Sequence, residues 1–474
     1  MKTNKLISSF AAAAVIIGTA SAASNKVEWA EITPELGFLE QAPSGLLSLK
    51  RLEEILKVGE ALFVAKFTTG DGAGRPAATQ AIDPTKVRHQ PTEPFARLSG
   101  PDSLACSSCH NDPLPGGAGG FVTNVFVSEG FTNANFDTSD PQFSNERGTN
   151  HLFGAGLIEL LAREMSADLA AIRSGALRLA RQKSEPVKVA LESKGVSFGA
   201  LTVLPDGLVD LSKIDGIDTD LVIRPFSQKG VMTSLRQFTI NAMNHHHGMQ
   251  ATERFGSRWT GENDFDEDGH FDEMTPGDIS ALVAWQATLP APTIQTPASN
   301  AWKQAARTGA ELFNDWSCNA CHRQSLPLKS LVFSDPGPYD AAGTLDNKQV
   351  RASAEYDLNL MEWAQNLPKD EQGQILVPLF GDLKRHKITD RRIATLGNEL
   401  LSQRFVGRDV FMTSELWGVG STAPYGHRND FTTLDSVILA HGGAARKSRD
   451  SYEAATEGQR SALIAYLKTL VIEK

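Results

Sequence analysis

Cys106-Ser107-Ser108-Cys109-His110 and Cys318-Asn319-Ala320-Cys321-His322 contain every cysteine of the chain. Two thiols separated by two residues can each form a thioether to one vinyl group of a single haem, and the histidine that follows then stands beneath the iron as an axial ligand. Each stretch therefore reads as a covalent haem c site: Cys106, Cys109 and His110 in the first, Cys318, Cys321 and His322 in the second. The alternatives are two disulfides, or one zinc ion held by both pairs. The long separation of the pairs and the histidine closing each one favour haem.

At 474 residues the chain is long enough for two or three domains, each with its own core. Lys2 and Lys5, an apolar stretch from Leu6 to Ile17 and the small-residue pattern Ala20-Ser21-Ala22 predict a secretory signal peptide over 1–22. The apolar stretch is short for a membrane span and is interrupted by Ser8 and Ser9, and no later segment reads as one. The expected product is periplasmic, with no integral membrane segment after signal removal. Export agrees with the motifs, because bacteria attach haem to CxxCH outside the cytoplasmic membrane. The formal charge of −10 becomes more negative once Lys2 and Lys5 leave with the signal. An acidic protein is a poor nucleic-acid binder, and a basic redox partner, such as a small cytochrome or copper protein, is the expected electron donor. The charge also serves to keep an exported protein soluble.

Outward from the motifs the chain repeats itself. Gly59-Glu60-Ala61-Leu62-Phe63, in a helical pattern over Leu46 to Phe67, returns as Gly309-Ala310-Glu311-Leu312-Phe313. Leu152-Phe153-Gly154-Ala155-Gly156 returns as Leu416-Trp417-Gly418-Val419-Gly420, so the chain reads as two diverged haem halves. The first half, 23–289, carries an insertion over about 165–275. Within it Ser166 to Arg181 predicts a helix with Ser166 as N-cap, and Val196 to Phe226 predicts a small sheet or hairpin turning at Pro205-Asp206-Gly207. Thr275-Pro276-Gly277-Asp278 opens a further helix. Pro290, Pro292 and Pro297 mark 290–300 as a linker to the second half, 301–474. That half ends in a helix opened by Thr456-x-x-Gln459, a capping-box pattern. The expected fold is mainly α, with two cytochrome-c-like haem domains and a small β-containing insertion in the first.

The two CxxCH motifs, Pro115-Gly116-Gly117-Ala118-Gly119-Gly120, Asn244-His245-His246-His247-Gly248-Met249-Gln250 and Leu416-Trp417-Gly418-Val419-Gly420 together resemble the bacterial di-haem oxidoreductase and peroxidase family. The resemblance extends over nearly the whole mature chain. More distantly the two-half plan is similar to bacterial di-haem cytochrome c peroxidases and to the related enzyme that matures the tryptophan-derived cofactor of methylamine dehydrogenase. It implies two covalently bound haem c groups, one reacting with hydrogen peroxide or another small oxidant and one relaying electrons from an external donor. It also implies a second axial ligand fourteen residues beyond a Pro-Tyr-x-His segment. Here Pro424-Tyr425-Gly426-His427 points to His441, where the family usually has Met. The competing ligand is Met412; otherwise His441 caps the Gly442-Gly443 turn. A distal acid is implied about 50 residues past the first motif, at Glu159, where a carboxylate would accept and return the peroxide proton. The family's companion glutamine has no matching position. The competing reading of Glu159 is a helix-surface charge.

Two further clusters stand out. Successive helical side chains are about 100° apart, so at most one or two of His245, His246 and His247 serve one centre. Their role is open between haem ligand, propionate partner and packing. Asp264-x-Asp266-x-Asp268-Gly269, followed by Asp272 and Glu273, matches the first half of a calcium loop, with Thr275 where the closing glutamate would stand. The expectation is bound Ca2+ on Asp264, Asp266, Asp268 and Asp272, against a solvated acidic loop. The function expected from all of this is peroxide reduction, with electrons passing from the C-terminal to the N-terminal haem. The alternatives are a plain electron-transfer cytochrome and a di-haem oxidase that modifies a protein or organic substrate.

Overall fold

The computed structural model describes residues 40–74, 103–126, 144–340, 345–390, 396 and 406–473. The expected signal peptide lies outside the described residues. Among those described, no helix is long and apolar enough to cross a membrane.

The helices that frame the sites are α1 (Leu49–Val64), α2 (Ala155–Lys183), α3 (Leu235–Ala242), α4 (Pro276–Thr288), α5 (Asn300–Asp315) and α6 (Glu457–Leu467). Their starts are written locally. Ser48 accepts the Arg51 amide and Ser299 that of Trp302; Thr275 with Asp278, and Thr456 with Gln459, form reciprocal capping boxes. Each box satisfies two amides that a helix N-terminus otherwise leaves orphaned.

The repeated segments become repeated packing. α1 crosses α4 at Gly59, where a Cβ would stand 2.1 Å from Ala281 O and 2.8 Å from Trp285 Cβ. α5 crosses α6 at Gly309 in the same manner, a Cβ there meeting Ala462 O at 2.0 Å and Tyr466 Cβ at 2.7 Å. One turn on, Phe63 packs on Trp285 and Phe313 on Tyr466, with ring centres 4.3 and 5.6 Å apart. The second repeat behaves alike. Gly154 and Gly418 are both left-handed (φ 78° and 81°), a conformation open to glycine at no steric cost. The two copies also touch: a Cβ on Gly154 would strike the Trp417 ring, and one on Gly418 would meet His151 Nε2.

The expected helix at Ser166 is longer than its sequence signal. α2 starts at Ala155, and Ser166 lies inside it, donating from Oγ to Ala162 O at 2.6 Å and accepting the Ile223 amide at 2.9 Å. The apolar run Leu157–Leu161 belongs to the same helix, which removes Ser166 from any capping role. The insertion's sheet is a three-stranded antiparallel one, Val187–Ser193, Val196–Val203 and Val209–Ile214, turning at Asp206-Gly207 as expected. From Asp215 to Phe226 the chain leaves the sheet.

Strands are not confined to the insertion. Gly119–Phe126 pairs with Ser144–Thr149, Leu326–Leu328 with Ile375–Val377 and Arg385–Lys387 with Val410–Met412; Ala354–Asp357 pairs with both Gly45–Leu46 and Val332–Asp335. Most are two to four residues long, too short to carry a period of their own, so distant partners define them. Inside 290–300, Thr293–Ile294 pairs with Leu470–Val471, tying this stretch to the C-terminus. One buried cluster includes residues on both sides of it, from Leu52 and Leu161 to Phe333, Tyr356 and Trp417. Arg236 to Asp335 (2.9 Å) and Lys384 to Asp215 (2.6 Å) add charged ties across the same sequence boundary.

Candidate functional site

Cys106–Cys109 form a single helical turn, and the His110 amide closes it on Cys106 O at 3.0 Å. Cys318–Ala320 make the tighter equivalent, with the His322 amide on Cys318 O at 3.0 Å. No disulfide joins the four cysteines, and among the described residues no metal-binding cluster gathers the two pairs. The CxxC spacing suits two thioethers to one planar ligand.

Each motif histidine is fixed by its own loop. His110 donates from Nδ1 to Gly117 O, and His322 from Nδ1 to Phe380 O, both at 3.3 Å. This hydrogen bond selects the tautomer that leaves Nε2 as a lone-pair donor, the arrangement that orients metal-ligating imidazoles. Burial, the largest cause, lowers both rings to a pKa of about 4, so both are neutral and able to ligate at neutral pH. The expected ligand His441 sits opposite His322, ring centres 6.4 Å apart with planes at 63°, its Nδ1 donating to Val437 O at 2.8 Å. Metal–nitrogen bonds of about 2.0–2.1 Å place two imidazole centres about 6 Å apart across one ion, so this pair fits an iron between the rings. Met412 points elsewhere: a Cβ on Gly230 would stand 2.5 Å from its methyl.

His110 looks into something different, a cleft partly continuous with solvent. Cys106, Cys109, Phe63, Met243, His246 and Gln286 are among the lining residues. Two thiols, a neutral imidazole and an apolar wall stand together, so the residues fit a covalent haem.

The histidine triple is divided by local geometry. α3 runs on as a π-helical turn, Met243–His247, which closes at left-handed Gly248. Such wide turns recur at functional sites. His246 and His247 line the cleft, whereas His245 is buried outside its lining. His247 is committed to the attachment segment, donating from Nδ1 to Ser103 O at 2.8 Å with Nε2 3.5 Å from Cys106 Sγ.

Glu159 is not among the residues lining the cleft. Its carboxylate is 1% exposed, accepts from Arg163 Nη2, and accepts the Leu235 amide at 2.8 Å, where α3 begins. Burial, opposed by the Arg163 charge, raises it to about 7. It faces inward from α2 and anchors the N-terminus of the helix that carries the histidines. Among the polar groups that do reach the cleft is Gln286 of α4, whose Nε2 donates to Thr239 Oγ1 at 2.9 Å and to Leu282 O at 3.0 Å. Its signal in the sequence was its place as the one polar residue of the stretch 281–287.

Of the acidic loop, Asp264, Asp266 and Asp268 converge, their nearest oxygens within 4.8 Å of one another. Asp272 is exposed, with left-handed backbone (φ 53°), and stands outside this group. Buried Glu273 takes the inward position beside it.

The two sites are joined by a bonded path. Phe380 O, which receives His322 Nδ1, also accepts the Leu416 amide at 3.4 Å; Trp417 O contacts His151 Nε2 at 3.0 Å; and the Leu152 amide donates to Gly116 O at 2.7 Å. Gly117 O then receives His110 Nδ1.

No family model and no curated protein sequence matches the chain. Among solved structures it is similar to Kuenenia stuttgartiensis hydrazine synthase under 20 bar xenon, at 11% identity over 99% of this chain and 100% of that one, with a TM-score of 0.39. It is also similar to a MauG-like protein associated with microbial copper homeostasis, at 14% identity over 57% of this chain and 78% of that one, with a TM-score of 0.28. Both superpositions are loose.

Proposed function

We propose that the chain is an exported, periplasmic di-haem c-type oxidoreductase that reduces hydrogen peroxide, with electrons entering at the Cys318–His322 site and the reaction at the Cys106–His110 site. The observation that carries this is the inequality of the two histidines. His322 faces a second imidazole 6.4 Å away, while His110 faces an open cleft.

Cys106, Cys109 and His110 would hold one haem, and Cys318, Cys321, His322 and His441 the other. A bound haem would supply a one-electron iron couple and Lewis-acid chemistry toward peroxide. His322 and His441, both held by main-chain carbonyls, keep their site closed and rigid, which suits electron transfer. His246 reaches the cleft that His110 faces, where a ring nitrogen can take a proton from peroxide and return it to the leaving oxygen. Gln286, pinned to Thr239 and Leu282, adds a fixed amide dipole to the same wall. Glu159 contributes by positioning: it fixes the start of α3, and α3 delivers His246. The chain through Phe380, Leu416, Trp417, His151 and Gly116 gives electrons a bonded route between the sites. The formal charge of −10 suits a basic periplasmic donor, such as a small cytochrome or copper protein.

The position of His246 also supports a second reading, in which it ligates the N-terminal iron and the protein is an electron carrier. Peroxide-dependent oxidation of a reduced small cytochrome or artificial donor by the purified haem-loaded protein, with a high-spin component in the oxidised spectrum, is the expected result. Two fully low-spin irons and no turnover would sink the peroxidase and leave the carrier.

A further inference from the structure

The acidic loop between α3 and α4 has no part in the haem chemistry, yet it gathers like charges in a buried place. Asp266 is 0% exposed, and neither of its carboxylate oxygens has a hydrogen-bond partner. Asp264 and Asp268 bring further carboxylate oxygens within 4.8 Å. A buried carboxylate without a donor is costly, and two like charges beside it make it more so. Burial first, then the charges of Asp268 and Asp264, push Asp266 up to about 8. The same three charges, after burial, raise Glu273 well above the ordinary carboxylate range. Four acidic side chains thus crowd one small volume around oxygens that no donor meets.

We propose that this loop binds one calcium ion through Asp264, Asp266 and Asp268, with Glu273 beside them, and that the ion fixes the segment closing the histidine turn. The donor set is all oxygen, at alternate positions, which suits a hard cation. Gly269 (φ 91°) makes the sharp turn at the sixth position of the loop. Thr275, at the twelfth, is spent on the α4 capping box, so Glu273 supplies the later carboxylate instead. Glu273 also makes the link to the cleft: its Oε2 accepts the Gln250 amide at 2.7 Å, three residues beyond His247. The next contacts continue the clamp, with Thr252 N on Met274 O at 3.0 Å and the Met249 amide returning to Met243 O at 3.0 Å. Neutralising the cluster therefore steadies the turn that presents His246 and His247.

The test uses the full-length protein, stripped with a chelator and titrated with calcium by calorimetry, and hydrogen exchange over residues 243–252 with and without the ion. The expected result is one bound calcium, binding weakened about tenfold or more by Asp266→Asn and untouched by Asp272→Asn, and faster exchange over 243–252 on chelation. No calcium binding, binding indifferent to Asp266→Asn, or magnesium bound as tightly would overturn the site. Exchange unchanged by chelation would overturn the coupling. If Asp266→Asn does not fold, wild-type stoichiometry and exchange still decide. None of these readouts depends on peroxide turnover.

Discussion

His322 and His441 stand with ring centres 6.4 Å apart and planes crossing at 63°, each anchored through Nδ1 to a main-chain carbonyl. Both therefore leave Nε2 as the donor nitrogen, and in the function proposed above the pair holds one iron. His441→Met, which restores a thioether, is expected to raise the potential of the C-terminal haem by on the order of 0.1–0.3 V, part of the roughly 0.8 V that axial ligands span. His441→Ala should leave the covalent haem stain intact and open that site to cyanide. Redox titration and cyanide difference spectra check both.

Glu159 and Arg163 form a buried pair that also holds the Leu235 amide. Glu159→Gln replaces the charged partner of Arg163 by a neutral amide while Arg163 keeps its bonds to Ser334, at a cost of about 1–2 kcal/mol. The expected outcome is a lower denaturation midpoint with kcat retained in the folded protein. Unchanged stability with lost turnover would instead make Glu159 a catalytic residue.

The helix crossings give a contrast between glycines. Gly309→Ala forces a methyl against Ala462 O, 2.0 Å away, and should destabilise by about 1–3 kcal/mol through overpacking. Gly458→Ala, in α6 with nothing within 4 Å of its Cβ, should be neutral or stabilise by up to about 1 kcal/mol through helix propensity. Urea unfolding of the two variants measures the difference.

His427 is stacked on Phe411 with ring centres 4.5 Å apart, and burial, followed by the charges of Arg147, Lys229 and Arg428, lowers it to about 3. Its folded pKa lies below the unfolded value near 6.5, so the unfolded chain takes up the proton first and stability falls as pH drops from about 6.5 towards 3. His427→Gln removes this dependence. The stability gap between wild type and variant should shift by about 2 kcal/mol in the variant's favour from pH 7 to pH 5. Paired denaturant titrations at the two pH values read it.

Local features are legible in the order of residues alone. The capping boxes at Thr275 and Thr456 depend on side chains three residues apart, and the CxxCH turns on five consecutive residues. The echoes at Gly59 and Gly309 are equally readable, because a glycine at a tight helix crossing leaves a mark in both copies. The start of α2 is not readable at Ser166, since a serine that bonds back to Ala162 looks, in sequence, like one that caps. The short strands around Gly45, Leu326 and Thr293 carry no signal, because their partners come from remote parts of the chain.

By itself, the sequence determined the expectation of haem attachment: four cysteines, two following histidines and their spacing suit few other ligands. It also singled out His441 and the alternating aspartates. Tertiary structure alone decided which groups share a space. Glu159 was drawn inward to Arg163 and the start of α3, Gln286 and His246 were brought to the His110 cleft, and Asp266 was sealed beside two other carboxylates. Spacing along a chain fixes what neighbours can do together, whereas burial and long-range contact set the charge, partner and exposure of each group.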